Sequence, residues 1–133
     1  MKLIIPGKPI AKKRPRFARH GKFVRTYSDQ ETEEGRFLWE VRQQINQEPF
    51  KGAVSLVVGF YMPIPKNTSK KRSQLMEKAL IHHIKKPDLD NLEKFVSDCL
   101  KGEAWVDDSQ VVHSDTTKVY SANPRTEILI KEV

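Results

Sequence analysis

The sequence predicts a single α+β domain, in which a mixed β-sheet of about four to five strands carries two to three helices mainly on one face. Its 133 residues are the length of one domain. Apolar β-branched segments and helical patterns follow one another in the order strand, helix, strand, helix, helix, strand, strand, which favours helices packed against a sheet. No repeat, low-complexity tract or linker divides the chain, so residues 1–133 are treated as one domain.

The N-terminal part is predicted to form short strands and one helix. Lys2–Ile5 has a strand pattern, and Phe23–Tyr27 is a candidate for a second short strand. A helix is expected from about residue 30 to residue 46, with Ser28 or Asp29 as its N-cap. The apolar residues of this helix recur on one face: Phe37, Leu38, Val41 and Ile45.

The middle of the chain contains the best strand candidate and two helices. Ala53–Met62 is apolar and β-branched, as expected of a central strand. A polar and basic helix is predicted from about residue 69 to residue 80. The most regular helix is predicted over about Leu89–Lys101, and Gly102 follows it in a C-cap position. Its apolar residues form one stripe: Leu89, Leu92, Phe95, Val96, Cys99 and Leu100.

Two further strands are expected to complete the sheet. Val111–Tyr120 and Thr126–Lys131 both have strand patterns. The residues between them, Ser121-Ala122-Asn123-Pro124, are typical of a turn. We therefore predict that these two strands pair with each other as a β-hairpin.

Charge is distributed along the chain in blocks, and the net formal charge of +7 conceals them. Residues 1–28 contain nine Lys or Arg and no acid, and residues 66–86 contain seven against one Glu. Residues 88–115 reverse the sign, with eight acids against two lysines. Basic blocks of this density favour contact with a nucleic acid, although solvated surface charge is the alternative for any single lysine. An anionic membrane is disfavoured, because no basic segment has a clear amphipathic helical face.

Several classes of protein and site are excluded. No apolar run approaches 18 residues and the first residues do not resemble a signal peptide, so we expect a cytoplasmic protein without a membrane partner. The single cysteine, Cys99, excludes intramolecular disulfides and a Cys-rich zinc site. His82 and His83 lack zinc-ligand spacing and are assigned to the basic surface. An EF-hand frame starting at Asp88 fails, and no glycine-rich phosphate loop occurs.

Carboxylates concentrate around the most regular helix. Asp88 and Asp90 lie at its predicted start, and a second pair, Asp107 and Asp108, follows its predicted end. Helix capping and interaction with the helix dipole are the alternative explanation for the first pair. If the two pairs converge, the like charges need a cation, and Mg²⁺ or Mn²⁺ at a phosphate is the usual one. Metal-assisted phosphodiester hydrolysis is then the simplest interpretation.

Two motifs in this region resemble the RusA family of Holliday-junction resolvases. The first is Lys86-Pro-Asp-Leu-Asp-Asn-Leu-Glu-Lys94 followed by Asp98, and the second is Trp105-Val-Asp-Asp-Ser-Gln-Val-Val112. The similarity is strongest over about residues 86–120. The chain departs from some family members in a basic insert of about residues 64–86, which is expected to alter DNA contacts more than the chemistry.

The resemblance implies a homodimeric, Mg²⁺-dependent endonuclease, for which Mn²⁺ can substitute, that nicks four-way DNA junctions symmetrically in recombination and repair. By motif position, the catalytic and metal-binding carboxylates are Asp88, Asp90 and Asp108. The functional lysine of the family corresponds to Lys94. Asp107 matches an acid beside the site and is an additional candidate metal ligand.

DNA contacts are expected from the basic segments. Phe17 and Phe23 are candidates either for stacking on bases at an open junction or for core packing. Trp105 is predicted to anchor the loop of the second acidic pair. The predicted phosphate-binding residues are Lys12, Lys13, Arg14, Arg16, Arg19, Lys70, Lys71, Arg72, Lys85, Lys86 and Lys118.

Two other classes of function stay open at this point. The first is a non-catalytic DNA- or RNA-binding protein, in which the acids cap helices and balance lysines. The second is a phosphoryl-transfer enzyme acting on nucleotides, which is disfavoured by the missing phosphate loop. A nuclease with DNA as its partner accounts for both the basic and the acidic blocks.

Overall fold

A computed structural model describes residues 1–13, 16–20, 23–27 and 30–133, with side chains for 1–13 and 30–133. The chain order of its elements follows the prediction, with an additional short strand beside Phe23–Tyr27. The strands are β1 (Lys2–Pro6), β2 (Arg16–His20), β3 (Phe23–Tyr27), β4 (Val54–Pro63), β5 (Val111–Ser121) and β6 (Arg125–Glu132). The helices are α1 (Glu31–Gln44), α2 (Lys70–Glu77) and α3 (Leu89–Leu100).

The main sheet has four strands in the order β1-β6-β4-β5, while β2 and β3 form a separate antiparallel pair. β4 is central, as predicted: it pairs in parallel with β5 and antiparallel with β6. Alternate residues of β4, from Val54 to Met62, are buried on the helix side of the sheet. The predicted α+β class with a mixed sheet is confirmed.

The predicted hairpin between the last two strands is wrong. β5 and β6 lie on opposite edges of β4, so the segment of residues 122–124 crosses the end of that strand instead of closing a hairpin. The link from Ser121 to Arg125 is long enough, because four Cα steps reach about 14 Å and two strand spacings are about 10 Å. The cause is β4 itself: as a buried strand it needs backbone partners on both edges.

The helices differ from prediction mainly at their ends. α1 begins after Gln30, which is its N-cap residue, while Ser28 and Asp29 lie outside the described residues. α2 ends at Glu77, three residues earlier than predicted, and Ala79 adopts a left-handed conformation with φ of 60°. α3 matches its prediction, and Gly102 has the positive φ (86°) that suits glycine just beyond a helix.

The helices cover one face of the main sheet, as predicted. α3 presents its apolar stripe to the core, where Leu92, Phe95, Val96, Cys99 and Leu100 are buried. The other face of the sheet has no helix of the described residues on it, and apolar side chains such as Ile4 and Val57 are exposed there. No helix among the described residues is long and apolar enough to cross a membrane.

Candidate active site

The first candidate carboxylates lie at the start of α3. Asp88 is the N-cap residue, with an extended backbone, but its side chain accepts no hydrogen bond from the helix. Asp90 is in the first turn, where its carboxylate accepts a hydrogen bond from the Asn91 amide at 2.9 Å. Lys86 donates to both carboxylate oxygens of Asp88, at 3.1 and 3.3 Å. Helix capping by the side chain therefore does not explain why position 88 is an aspartate.

The second acidic pair belongs to a compact loop between α3 and β5. Trp105 is fully buried, and its indole Nε1 donates to the Asp108 carboxylate at 2.9 Å, which confirms that Trp105 anchors the loop. Asp107 accepts a hydrogen bond from the Ser109 hydroxyl at 2.5 Å, and this bond lowers the pKa of the Asp107 carboxyl. Asp107 also caps the short 3₁₀ turn Asp108–Gln110. Both acids thus have structural partners within the loop.

Gln110, to which the sequence analysis assigned no role, fixes this loop. Its side-chain oxygen accepts hydrogen bonds from the Val106 and Asp107 amides at 2.8 and 2.7 Å. Its side-chain nitrogen donates to the carbonyl oxygens of Phe50 and Gly52 at 2.7 and 2.9 Å. The signal in the sequence is its place in the Trp-x-Asp-Asp-x-Gln motif, where an amide supplies both a donor and an acceptor.

The two acidic pairs lie at opposite ends of α3. β5 runs back along this helix: Ser114 hydrogen-bonds to Glu93, and Lys118 reaches the carbonyl of Pro87 before the helix start. Asp108 precedes β5 and lines a cleft with Asp98 and residues of the helix end. A 12-residue helix is about 18 Å long, so the described structure does not bring Asp108 to Asp88.

No three Asp, Glu, His or Cys side chains converge on a metal-sized space within residues 1–13 and 30–133. The carboxylates of Asp88 and Asp90 nevertheless fit Mg²⁺ by their chemistry. This cation prefers oxygen ligands, and proteins commonly hold it by one or two carboxylates while substrate phosphate and water complete the shell. The two carboxylates at the start of α3 are therefore a donor set of the kind that Mg²⁺ accepts.

Besides Lys86, which pairs with Asp88, three of the predicted functional lysines form ion pairs with acids of the same chain. Lys94 lies 3.9 Å from Asp98, one turn along α3, and Lys12 lies 3.1 Å from that same carboxylate. Lys13 lies 3.3 Å from Glu33. Of the two acids spaced four residues from Lys94, Asp90 and Asp98, it is Asp98 that pairs with it.

Apart from Lys118, the other predicted DNA contacts lie either in the N-terminal segment or in the basic insert. The Lys12 amide donates to the Asn91 carbonyl at 2.9 Å, so the basic N-terminal segment runs beside the start of α3. Arg14 lies outside the described residues, as do the side chains of Arg16, Arg19, Phe17 and Phe23. The basic insert presents exposed side chains close to this helix in sequence: Lys70, Lys71, Arg72, Lys85 and Lys86.

His83 and Lys118 are packed where the sequence analysis expected surface charge. His83 is half-buried, with its ring 4.8 Å from that of Tyr120, so its assignment to the basic surface is wrong. Burial lowers the pKa of His83, and the nearby Lys118 ammonium lowers it further. Lys118 is half-buried too, and it donates to the carbonyl oxygens of Lys85 and Pro87, each at 2.9 Å.

Comparisons with known proteins cover both motif regions. The family model described as "Endodeoxyribonuclease RusA" matches residues 6–131 of the chain. A protein of Bacillus subtilis (strain 168) named "Uncharacterized protein YqaN" is 37% identical over 137 residues. That alignment covers 100% of this chain and 96% of the Bacillus protein. The similarity therefore includes α3, the loop after it and β5.

Proposed function

Because the chain belongs to the RusA family of endodeoxyribonucleases, we propose that it resolves four-way DNA junctions by paired symmetric nicks, with Mg²⁺ as its cofactor and as a homodimer. The observation that carries the proposal is the state of Asp88: an exposed carboxylate at a helix N-cap that takes no part in capping. An aspartate whose carboxylate is not used for helix capping is expected where that carboxylate binds a metal ion. Two identical subunits related by a twofold axis would supply one site for each strand that is cut.

The reaction divides between the metal and the residues of the chain. Asp88 and Asp90 would hold Mg²⁺, which would supply a more acidic water and offset charge on the phosphate. Lys86 is exposed and paired with Asp88 by a surface ion pair worth about 0–1 kcal/mol, so it would exchange this partner for a phosphate oxygen at small cost. Lys94 remains a proposed phosphate contact, since an exposed ion pair such as that with Asp98 is worth about 0–1 kcal/mol and exchanges readily.

Asp108 and Asp107 remain proposed metal ligands on the strength of the family motif. In the described structure Asp108 is hydrogen-bonded to Trp105 at the far end of α3. Asp88 and Asp90 at the helix start are therefore the proposed primary metal ligands. Asp107 and Asp108 would reach a metal ion held by Asp88 and Asp90 only if their loop moved, or if these two acids came from the other subunit of the dimer.

DNA binding is proposed along the N-terminal segment and the insert. Lys12 and Lys13 would exchange their carboxylate partners for phosphates at small cost, because surface ion pairs are weak. The exposed cations of the insert add sequence-independent contacts: Lys70, Lys71, Arg72, Lys85 and Lys86. Affinity for DNA should therefore fall steeply with salt concentration.

A labelled four-way junction incubated with the protein, with and without Mg²⁺, tests the proposal. Asp90→Asn should abolish nicking while junction binding is retained or tightened, because a charge that repels phosphate is removed. Asp115→Asn is the matched control, since Asp115 lies on the uncovered face of the sheet beside Val57 and Thr117. This variant should cut like the unmodified protein.

The same experiment separates the alternatives. Binding without cutting in either Mg²⁺ or Mn²⁺ would leave the non-catalytic nucleic-acid-binding protein as the better explanation. Equal cutting of linear duplex and junction would keep the nuclease and remove junction selectivity. A monomer by light scattering at micromolar concentration would contradict paired symmetric nicking.

A further inference from the structure

Lys118 connects the sheet to the segment that precedes α3. It lies on β5, two residues before the buried Tyr120, and therefore faces the helices. Its ammonium group donates to two main-chain carbonyl oxygens, those of Lys85 and Pro87, each at 2.9 Å. A lysine ammonium has three donors, so two of the three are used by the protein itself.

The side chains of the segment held by Lys118 lie mostly at the surface. Ile84, Lys85 and Lys86 are exposed. Among the residues whose side chains the structure describes, the Asp88 carboxylate is hydrogen-bonded to Lys86, which is itself 86% exposed in its side chain. The main-chain positions that these two hydrogen bonds fix lie three residues and one residue before Asp88. Lys118 therefore acts on the backbone that determines where the Asp88 carboxylate lies.

We propose that Lys118 is a positioning residue that holds the Lys85–Asp88 segment in place for catalysis, and is not a phosphate contact as its basic character suggested. The proposal rests on the proposed function. Two features support it: the ammonium is half-buried, and its hydrogen bonds are directed to carbonyl oxygens of the chain. A lysine that binds DNA phosphates has no need for either.

The expected effect is on the rate of cutting more than on binding. Hydrogen bonds to a charged group are among the stronger ones, and losing both frees the segment to move. A displacement of about 1 Å in a catalytic group can cost roughly 100-fold in rate. Junction affinity, which depends on many phosphate contacts, should change little.

The test compares Lys118→Met with Lys131→Met, which removes a lysine charge from an exposed position on β6. At saturating junction and Mg²⁺, Lys118→Met should cut roughly 10- to 100-fold more slowly, with junction affinity in EDTA within about 3-fold of the unmodified protein and the same salt dependence. Lys118→Arg, which keeps the positive charge and has N–H donors for both carbonyl oxygens, should recover part of the rate. Lys131→Met should match the unmodified protein.

Either of two results would overturn the proposal: an unchanged cutting rate in Lys118→Met, or weaker binding with a shallower salt dependence at an unchanged rate. The second is what loss of a phosphate contact produces. Hydrogen exchange of the amides of residues 85–92 gives an independent readout, since they should exchange faster in Lys118→Met than in Lys131→Met. If the unmodified protein does not cut DNA, the proposed function fails while hydrogen exchange still decides the role of Lys118. If Lys118→Met does not fold, the same comparison is made with Lys118→Arg and Lys118→Gln.

Discussion

Gln110 offers a direct test of how the loop after α3 is held. Replacing it with alanine removes four hydrogen bonds made by one side chain. The amides of Val106 and Asp107 are exposed, so water replaces the glutamine oxygen there at little cost. The carbonyls of Phe50 and Gly52 are partly buried, and these two bonds account for most of the expected loss.

The magnitude follows from those two partly buried bonds. Each contributes about 0.5–1.5 kcal/mol net, so Gln110→Ala should lower the free energy of unfolding by about 1–3 kcal/mol. For a domain of this size the melting temperature should fall by roughly 4–12 °C. Activity should fall as well if Asp108 takes part in catalysis, because this residue lies in the loosened loop.

Urea unfolding followed by tryptophan fluorescence measures the effect, because Trp105 is buried in the same loop. Gln43→Ala is the matched control: it truncates the same side chain at an exposed position of α1. The control should lie within about 0.5 kcal/mol of the unmodified protein. Equal stability of the two variants would refute the idea that Gln110 holds the loop.

Three further predictions concern buried groups. Burial raises the pKa of the Cys99 thiol to about 12, so a thiol reagent at pH 8 should label the protein only in urea; rapid labelling of the native protein would contradict this. The pKa of His83 is depressed below 6.5, so the unfolded state binds more protons and stability should fall as the pH drops through 6.5 and below. Because the charges facing His83 are those of Lys118, Lys85 and Lys8, His83→Gln should flatten that part of the urea-stability profile, and an unchanged slope would count against the assignment. Phe95→Ala should cost about 3–5 kcal/mol, since Phe95 is buried edge-to-face against Phe37; a loss below about 1 kcal/mol in urea unfolding would contradict this packing.

Elements that depend on local pattern were predictable from the sequence. α3 has a regular apolar stripe that its core position requires, and β4 is apolar and β-branched along its whole length. The placement of β5 and β6 on opposite edges of β4 was not predictable from the three residues between them. Turn-forming residues indicate that the chain reverses direction. They do not indicate that β4 lies between the two strands and pairs with one of them on each edge.

The candidate site shows the same division. Asp88 and Asp90 could both be assigned to the start of α3 from sequence, because they lie two residues apart where its apolar stripe begins. Asp108 directly precedes β5, so its position depends on which turn of α3 the start of β5 lies beside. That relation is set by tertiary packing and not by the local sequence. The partners of Lys118 lie more than 30 residues away and are main-chain atoms, so residue type carried no information about them.

The pairing of β1 with β6 has a consequence for how fast the protein folds. Lys2 lies opposite Leu129 in this ladder. β4 pairs with β5, from which it is separated in sequence by α2 and α3. Contacts between residues so far apart in sequence require large loops to close before they stabilise the structure, and domains dominated by them fold in milliseconds to seconds. We therefore expect α3 to gain helical structure before the sheet that supports it is complete, so that the acidic end of this helix forms early and its tether to Lys118 forms late.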